Sequence, residues 1–347
     1  MNIAILIPSL DPNEALVRLA QDLTSNHMDK IVLIDDGSSP QTQPLFDRCA
    51  EFGCTVVHHA VNQGKGAALR TGLRTAMEQY PDLQGVVTAD GDGQHAVTDI
   101  LRIAHEIEQQ PNHIILGTRD FSGSDIPLRS RFGNRFTSLF FRLSTGIACP
   151  DTQTGLRGIP AAYFPFALSI AGSRYEYEMN LLFTAAQNKL PLYYVPIQTI
   201  YEAGNAASHF RPIVDSARIY AMPLRFAAAS LSSFVIDIVL FAFFSLLLPS
   251  RTAQSIFIAT VAARLCSGVF NFTVNRNWSF NSREDNWKAQ GIRYLILFLC
   301  QMLASGGLVS LMSFLPLPLT IIKILIDTFL FCISYFIQRN WVFRKPS

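Results

Sequence analysis

The chain has 347 residues, a formal net charge of +2 and an apolar content of 49%. This length predicts more than one domain, and the near-neutral charge, without a basic stripe, argues against a nucleic-acid-binding protein. Charged residues are spread through the sequence up to Ile219, whereas the remainder consists mostly of Phe, Leu, Ile, Ala and Ser. We therefore expect a soluble half followed by a membrane half.

The N-terminus does not resemble an export signal. Met1-Asn2 leads directly into the apolar run Ile3–Ile7, which is too short for a signal-peptide core and lacks a basic leader. The six cysteines show no metal-type pairing, which is typical of reduced cysteines in cytosolic proteins. We expect the soluble half to lie in the cytosol.

Short apolar runs in the first part of the chain predict buried β-strands. They are Ile3–Ile7, Ile31–Ile34, Thr55–Val57, Val86–Ala89 and Ile114–Leu116. One helix is predicted to begin after Asp11, with Asp11 as its N-cap, Pro12 at its first position and Glu14 three residues after the cap. A second helix is predicted from Gly64-Lys65-Gly66 to about Tyr80.

This alternation predicts an α/β fold with a mostly parallel sheet that is covered on both faces. In such sheets, ligands bind beyond the carboxyl ends of the strands. Polar residues follow four of the predicted strands at that end: the loop after Pro8, Asp35-Asp36, Asp90 with Asp92, and Arg119. We expect them to converge on one edge of the sheet.

The chemistry expected at this edge is acidic. The first strand is not followed by a glycine triplet, and no Gly-Lys-Ser/Thr loop occurs, so dinucleotide and ATPase-type phosphate sites are disfavoured. Asp90 and Asp92 are placed to share one divalent cation, and Gln94 adds a neutral oxygen. These ligands suit Mg²⁺ or Mn²⁺ bound jointly to protein and diphosphate. An ordinary acidic turn is the alternative interpretation.

Several motifs occur in a characteristic order. They are Pro8 with Glu14, Asp35–Ser38, Asn62–Ala68, Asp90–His95, Gly117–Arg119, Arg129–Arg135, Asp151–Gly158 and Ser208–Phe210. This order resembles family 2 glycosyltransferases of the dolichyl-phosphate mannose synthase and polyprenyl-phosphate sugar synthase type. The resemblance implies a Rossmann-like GT-A fold. It also implies an inverting, metal-dependent transfer of a hexose from a GDP- or UDP-sugar to polyprenyl phosphate.

The resemblance also implies roles for single residues. The nucleotide-sugar-binding residues would be Pro8, Glu14, Asp36, Lys65 and Asp90. The metal ligands would be Asp90, Asp92 and Gln94. The acceptor phosphate would be held by Arg119, Arg129, Arg131 and Ser208. The catalytic residues would be Asp92, Arg119, Arg131, Arg157 and Glu178, although a buried structural ion pair between Arg157 and Glu178 remains the alternative. Ser9-Leu10-Asp11 departs from the Tyr-Asn pair of many relatives, which leaves the base preference open.

A phosphate acceptor changes what the catalyst must do. The second pKa of a phosphomonoester is near 6, so the group is mostly a dianion at neutral pH and needs no strong base. We therefore expect catalysis to rest on positioning and on charge neutralisation.

After residue 210 the sequence becomes apolar. Residues 211–225 form a basic, partly apolar stretch that is predicted to lie along the membrane surface. Four later segments are each long enough to span a bilayer: Phe226–Leu248, Ser255–Val274, Ile292–Phe314 and Leu319–Ile337. The predicted domains are thus a catalytic domain at 1–210, an interfacial segment at 211–225 and an all-α membrane domain at 226–347.

The loop charges predict the orientation of these four spans. Basic residues crowd the loop between the second and third spans and the C-terminal tail, whereas the opposite side shows only Arg251. The positive-inside rule therefore places both termini and the catalytic domain on the cytoplasmic side.

An internal repeat marks the membrane half. Asn275–Phe280 recurs 63 residues later as Gln338–Phe343, and each copy ends a predicted two-span hairpin. The repeat indicates a duplicated hairpin. The four spans with these endings also resemble the GtrA family, small membrane proteins implicated in moving polyprenyl-linked sugars.

Charged residues lie within the predicted spans: Asp237, Arg264, Lys323 and Asp327. Charges at such positions are costly and are candidates for function. Asp237 could pair with Arg264 between spans, and Lys323 with Asp327 along one helix face. A purely structural role in the bundle remains the alternative to a path for lipid phosphate.

The sequence thus predicts a membrane-bound enzyme whose partners are a nucleotide sugar, a polyprenyl phosphate and the membrane, and we expect it to form homo-oligomers. The alternative function is a translocator or scaffold for polyprenyl-linked sugar, to which the soluble domain delivers the lipid. A processive polysaccharide synthase is disfavoured because a Gln-x-x-Arg-Trp pattern is missing.

Overall fold

The computed structural model describes residues 1–121, 128–198, 200, 221–247, 253–282, 286–312, 314 and 318–343. The chain divides into two compact units, Met1–Ile219 and Tyr220–Ser347. The first unit is an α/β domain and the second is helical.

The described residues of the first unit form seven strands in one sheet. They are β1 (Ile3–Ser9), β2 (Ile31–Asp35), β3 (Thr55–His58), β4 (Gly85–Thr88), β5 (Ile114–Arg119), β6 (Arg157–Pro160) and β7 (Leu192–Ile197). All five strands predicted from the apolar runs are present, so these predictions are confirmed. The short strands β6 and β7 were not predicted.

The sheet is mixed, with the strand order β3-β2-β1-β4-β6-β5-β7. β1 pairs in parallel with β2 and β4, β2 with β3, and β5 with β7, whereas β6 runs antiparallel to both of its neighbours. In this register Ser9 lies opposite Asp35, and Arg157 lies opposite both Thr88 and Leu116. The carboxyl ends of β1, β2 and β4 and the start of β6 therefore share one edge of the sheet.

Helices cover both faces of the sheet, as the sequence predicted. They are α1 (Glu14–Ser25), α2 (Gln43–Glu51), α3 (Lys65–Gln79), α4 (Val97–Gln109), α5 (Leu128–Thr145), α6 (Phe164–Ser169) and α7 (Glu176–Gln187). Alternation along β1 explains this arrangement, since Ile5 and Ile7 pack with α1, α2 and α4 on one face. Leu6, the residue between them, packs with α3, α6 and α7 on the other face.

The predicted cap of α1 is wrong. The helix begins at Glu14, and its N-cap is Asn13, whose side chain accepts a hydrogen bond from the Ala15 amide. Asp11 instead has a left-handed backbone with φ of 43°. Its carboxylate accepts from the Ser39 amide at 2.7 Å, so Asp11 ties the loop after β1 to the loop after β2.

The second unit contains four long helices. They are α8 (Ala221–Leu247), α9 (Ala253–Val274), α10 (Trp287–Leu311) and α11 (Leu319–Ile337). Among the residues that the structure describes, α8 alone passes a length and hydropathy test for a membrane span, with a mean hydropathy of 2.2. The predicted number of four spans is therefore not confirmed, although each predicted segment overlaps one of these helices.

The two copies of the internal repeat have the same local structure. Asn275–Ser279 continues α9 as a π-helical turn, and Gln338–Val342 continues α11 in the same way. Single π-helical turns are rare and often occur at functional positions.

Candidate active site at the carboxyl edge of the sheet

A lysine between two carboxylates forms the centre of the site. The Lys65 Nζ lies 2.7 Å from Oδ1 of Asp90 and 3.0 Å from Oε2 of Glu178. Lys65 opens α3, Asp90 follows β4, and Glu178 lies in the first turn of α7. Three residues that are far apart in the sequence, each a predicted site residue, therefore meet at one edge of the sheet.

Close backbone packing brings these elements together. A Cβ atom added to Gly66 would lie 2.4 Å from Cβ of Tyr177, so only glycine lets the start of α3 approach α7 this closely. A Cβ atom added to Gly155 would lie 2.4 Å from Oδ2 of Asp90, so the loop before β6 also presses against this carboxylate. The narrow fit limits where the Asp90 carboxylate can point.

The charged side chains of the site shift one another's pKa values. Burial disfavours the charged form of Lys65, but the carboxylates of Asp90 and Glu178 outweigh burial and hold the Lys65 pKa above its usual range. Burial likewise opposes ionisation of Asp90, yet the Lys65 ammonium lowers the pKa of Asp90 to about 2. Burial and the neighbouring Asp90 charge raise the pKa of Asp92.

These residues fit a divalent cation. Asp92 accepts a hydrogen bond from the Gln94 amide through Oδ1, at 3.1 Å, and no hydrogen bond from the described residues to its Oδ2 is formed. Since burial and the Asp90 charge disfavour the ionised form of Asp92 and so raise its pKa, a cation bound here would stabilise that form. Within the described ranges, no three His, Cys, Asp or Glu side chains form a ready-made metal cluster. Two carboxylates and an amide would instead complete a coordination shell with diphosphate oxygens, as Mg²⁺ commonly does.

His95 supports the Asp90 loop and was not predicted as a site residue. The Asp90 amide donates to Nδ1 of His95 at 3.1 Å, which requires that nitrogen to be unprotonated. Burial lowers the pKa of His95, in agreement with a neutral ring. Its position directly after the acidic motif was the only sequence signal for this role.

Asp36 organises the loop that leads to Lys65. Its carboxylate accepts from the Gln63 amide at 2.9 Å and from the Gly64 amide at 2.7 Å. His59, a half-buried residue that was also missed, lies 2.8 Å from the same carboxylate through Nδ1. The predicted nucleotide-binding residue Asp36 thus makes its described contacts with the protein itself.

Arg119 is held in one orientation by Asp151. The Arg119 Nε lies 2.7 Å from Oδ2 of Asp151, and its Nη2 lies 3.2 Å from Oδ1. Asp151 is fully buried, whereas the Arg119 side chain keeps 27% of its surface exposed. A two-pronged contact of this kind fixes the plane of the guanidinium.

The ion pair considered between Arg157 and Glu178 is not formed. Arg157 is buried and donates to the backbone carbonyl of Glu178 at 2.6 Å and to that of Thr154 at 2.9 Å. The Glu178 carboxylate turns to Lys65 instead, because α7 places its first turn beside the start of α3. Arg157 therefore holds the backbone of Glu178, while the Glu178 carboxylate contacts Lys65.

Other predicted residues lie elsewhere or cannot be placed. Glu14 forms an ion pair with Arg48 of α2 at 2.6 Å, and both side chains are half exposed. Pro8 is buried in β1 next to Ile34 of β2. Arg131 lies on α5. Ser208 lies outside the described residues, as do the side chains of Arg129 and Lys323.

The helical unit has its own polar contacts. Arg264 Nε lies 3.5 Å from Oδ2 of Asp237, so the predicted pair between α8 and α9 is present. Asp327 accepts a hydrogen bond from Ser305 of α10 at 2.6 Å.

Comparison with protein families gives a family match in each of the two units. Residues 5–164 match glycosyl transferase family 2, and residues 225–343 match the GtrA/DPMS transmembrane domain. Both resemblances are therefore confirmed: the chain carries a glycosyl transferase family 2 domain and a GtrA/DPMS transmembrane domain.

The names of two similar curated proteins say that they act on lipid phosphates. UDP-N-acetylglucosamine–dolichyl-phosphate N-acetylglucosaminyltransferase of Methanococcus voltae is 29% identical over 217 residues, which covers 57% of this chain and 86% of that protein. Undecaprenyl-phosphate 4-deoxy-4-formamido-L-arabinose transferase of Pseudomonas syringae is 28% identical over 165 residues, which covers 45% of this chain and 46% of that protein.

A similar solved structure is glucosyl-3-phosphoglycerate synthase from Mycobacterium tuberculosis in complex with Mn²⁺, UDP and phosphoglyceric acid. It is 15% identical, has a TM-score of 0.48, and the match covers 65% of this chain and 76% of that one.

Proposed function

Because the chain is a family 2 glycosyltransferase that also carries a GtrA/DPMS transmembrane domain, we propose that it transfers a sugar from a nucleotide sugar to polyprenyl phosphate at the cytoplasmic face of a membrane. The names of the Methanococcus and Pseudomonas relatives support this acceptor class, since one uses dolichyl phosphate and the other undecaprenyl phosphate. The first of them also supports a UDP-sugar as donor, with a GDP-sugar as the alternative.

The observation that carries this proposal is the cluster of Lys65, Asp90 and Glu178 at the carboxyl edge of the sheet. Such an edge is where α/β domains bind nucleotides. The cluster brings the half-buried Lys65 ammonium next to the acidic motif, where a diphosphate and its cation would lie. Lys65 can then neutralise diphosphate charge without any rearrangement of the chain.

A divalent cation, Mg²⁺ or Mn²⁺, would be held by Asp90, Asp92 and Gln94. When bound, it would stabilise the negative charge that develops on the leaving nucleoside diphosphate. The protein's own task is to hold these ligands, and the tight fit of Gly155 against Asp90 serves this purpose.

The acceptor phosphate would enter opposite the leaving group. Arg119 and Arg131, with Arg129 and Ser208, are the proposed phosphate-holding residues, and the rigid Arg119–Asp151 contact supports this role for Arg119. A guanidinium fork matches phosphate oxygens. The acceptor needs no general base because it is already largely ionised at neutral pH. Glu178 and Arg157 would border the transferred sugar, and transfer would invert the anomeric centre.

The membrane domain would place this reaction at a bilayer surface. We propose four spans with both termini cytoplasmic, residues 211–225 along the interface, and a homo-oligomeric assembly. The basic loop between the second and third spans supports this orientation.

A donor panel tests the proposal. Purified full-length protein is incubated with undecaprenyl phosphate, Mn²⁺ and each of several radiolabelled GDP- and UDP-sugars, and the organic phase is counted. We expect one donor to give an organic-extractable product. Protein that stays folded and gives no product with any donor would refute the transferase reaction and favour the translocator function instead.

A further inference from the structure

Helix α5 of the first unit turns large apolar side chains outward. Phe132, Phe136, Leu139 and Leu143 keep 74%, 51%, 54% and 53% of their surfaces exposed, respectively. They follow one another at intervals of three or four residues, so they lie along a single face of the helix, which we call the outer face. A surface helix of a soluble domain normally turns its apolar stripe towards the core instead. An exposed apolar face of this length indicates a contact surface.

The opposite side of α5 shows why the helix keeps this orientation. Phe141 is fully buried, and its ring centroid lies 5.0 Å from that of Phe183 on α7. Asn134 is buried as well and donates through Nδ2 to the Pro150 carbonyl at 2.7 Å. The buried Thr137 donates to a carbonyl of its own helix at 3.0 Å. These inward polar groups are satisfied, and a rotation that buried the outer face would break the contacts of Phe141 and Asn134.

The outer face of α5 also carries positive charge. Arg135 and Arg142 are exposed, and each follows an apolar residue of this face by three positions. Residues 128–145 contain no Asp or Glu, so the helix has no acidic residue of its own to neutralise these arginines. A helix face of Phe, Leu and Arg is complementary to a surface that has anionic groups above apolar ones. A bilayer interface has this arrangement.

A bilayer is also the surface to which the chain is attached. Residues 225–343 match the GtrA/DPMS transmembrane domain, so the first unit is tethered to a membrane. We propose that α5 lies in the headgroup region of that membrane, with its four exposed apolar side chains among the upper parts of the acyl chains. Arg135 and Arg142 would pair with lipid phosphates, since an arginine can extend its charged end towards them while its methylene stem stays among apolar groups.

This orientation would affect the proposed reaction. The first turns of α5 carry Arg129 and Arg131, two of the proposed phosphate-holding residues. The Asn134 hydrogen bond ties the same helix to the backbone that leads into Asp151, the residue that holds Arg119. A helix that lies along the bilayer would therefore keep the acceptor side of the site at the level of the lipid phosphates. This consequence rests on the proposed function, whereas the contact of α5 with the bilayer does not.

Spin labels measure the depth of α5 in the full-length protein. The exposed cysteines Cys266, Cys300 and Cys332 are first replaced by alanine. A nitroxide is then attached to Leu139→Cys, Leu143→Cys or Met77→Cys, one at a time, in nanodiscs of phosphatidylcholine and phosphatidylglycerol without nucleotide sugar. Met77 is the matched control, because it is an exposed apolar residue on α3 of the same unit. Oxygen, which partitions into lipid, and a water-soluble nickel chelate serve as the two relaxation reagents.

We expect the labels at Leu139 and Leu143 to be accessible to oxygen and shielded from nickel, at a depth of about 5–10 Å within the interface. The label at Met77 should be accessible to nickel. When Arg135→Gln and Arg142→Gln are added, both α5 labels should move towards water. An unchanged depth in that variant would refute the pairing of these arginines with lipid phosphates.

Two results would overturn the contact with the bilayer. Labels on α5 that are as accessible to nickel as the label at Met77 would show that the outer face lies in water. Labels shielded from both reagents would show that protein covers this face, for example a second copy of the chain. Because the assay contains no sugar donor, a failure of sugar transfer leaves its result unaffected.

The wild type provides a second measurement if the cysteine-substituted protein does not fold. Nanodiscs are prepared with a phospholipid that carries a diazirine in its acyl chain, and the crosslinked peptides are located by mass spectrometry after illumination. We expect crosslinks in the peptides of α5 and none in those of α3. A lack of crosslinks in α5, with crosslinks formed in the helical unit, would contradict the proposal.

Discussion

At the scale of single residues, the site depends on one half-buried lysine, Lys65. Lys65 is the counter-charge for both Asp90 and Glu178, so its removal leaves two carboxylates facing each other in a partly buried space. Among the described contacts, the Lys65 ammonium is the positively charged group that lies closest to the acidic motif. Its charge therefore serves both the resting site and the proposed diphosphate.

We predict that Lys65→Met lowers kcat/KM for sugar transfer by about a hundredfold, as loss of a preorganised charge commonly does. The measurement is the steady-state rate with the preferred donor. Lys30→Met is the matched control, since its one ion pair among the described residues is with its neighbour Asp29, at 3.1 Å. Lys30 precedes β2 and so lies at the opposite end of that strand from the site loops. Turnover of Lys65→Met within twofold of the wild type would contradict the role of this lysine.

A second prediction concerns the cysteines of the first unit. Burial raises the pKa of Cys49 and of Cys149 to about 11, and that of Cys54 to about 12, so thiolate is scarce at pH 8. We expect these three to resist iodoacetamide in the folded protein and to react after unfolding in guanidinium. Peptide mass spectrometry provides the readout, with the same three peptides from the unfolded protein as the internal comparison. Rapid labelling of Cys49 in folded protein would contradict the packing described.

The residues at strand ends were predictable, but their partners were not. Asp36, Lys65, Asp90 and Glu178 were identified by motif order, whereas the pairing of Lys65 with Glu178 depends on how α7 packs against α3. The sequence allowed an Arg157–Glu178 ion pair equally well. Only the fold shows that Arg157 binds the backbone carbonyl of Glu178 instead.

At the scale of elements, the contact between α3 and α7 builds the site. Gly66 lies against Tyr177, and the Ala67 amide donates to the carbonyl of Ser173 at 2.9 Å, so the start of α3 is fixed to the loop before α7. This contact positions Lys65 beside Glu178. A change in the spacing between α3 and α7 would therefore change the distances in the ion pairs of Lys65.

We predict that Gly66→Ala lowers stability by about 1–3 kcal/mol, because its Cβ would lie 2.4 Å from Cβ of Tyr177. Gly133→Ala is the matched control on α5, where an added Cβ meets nothing within 4 Å. Alanine favours a helix over glycine by up to about 1 kcal/mol, so this variant should be as stable as the wild type or more so. Thermal unfolding midpoints of the full-length proteins make the comparison. Equal midpoints for the two variants would contradict the close helix contact.

The elements themselves were predicted unevenly, for physical reasons. β1, β2, β4 and β5 are mostly buried runs that contain branched residues, β3 is a half-buried run, and all five stand out in the sequence. β6 begins with Arg157 and contains Gly158 and Pro160, a composition that does not indicate a strand, and it forms through pairing with β4 and β5. The start of α1 was placed too early because Asp11 and Asn13 are both good caps, and contacts with the loop after β2 decide between them.

At the scale of the whole molecule, a catalytic domain and a duplicated membrane domain share one chain. The repeat was visible in the sequence, and the structure adds that equivalent residues contact each other, as Phe280 and Phe343 do.

Metal-dependent transfer of sugar to polyprenyl phosphate through the acidic motif can be tested in one transfer assay. Wild type, Asp92→Asn and the surface control Asp29→Asn are assayed with undecaprenyl phosphate and the preferred radiolabelled donor, with Mn²⁺, with EDTA, and with Mn²⁺ restored. We predict that EDTA abolishes and Mn²⁺ restores product in the wild type and Asp29→Asn, and that Asp92→Asn is at least about a hundredfold slower while remaining folded. Near-normal transfer by Asp92→Asn, or transfer that is unaffected by EDTA, would contradict the account.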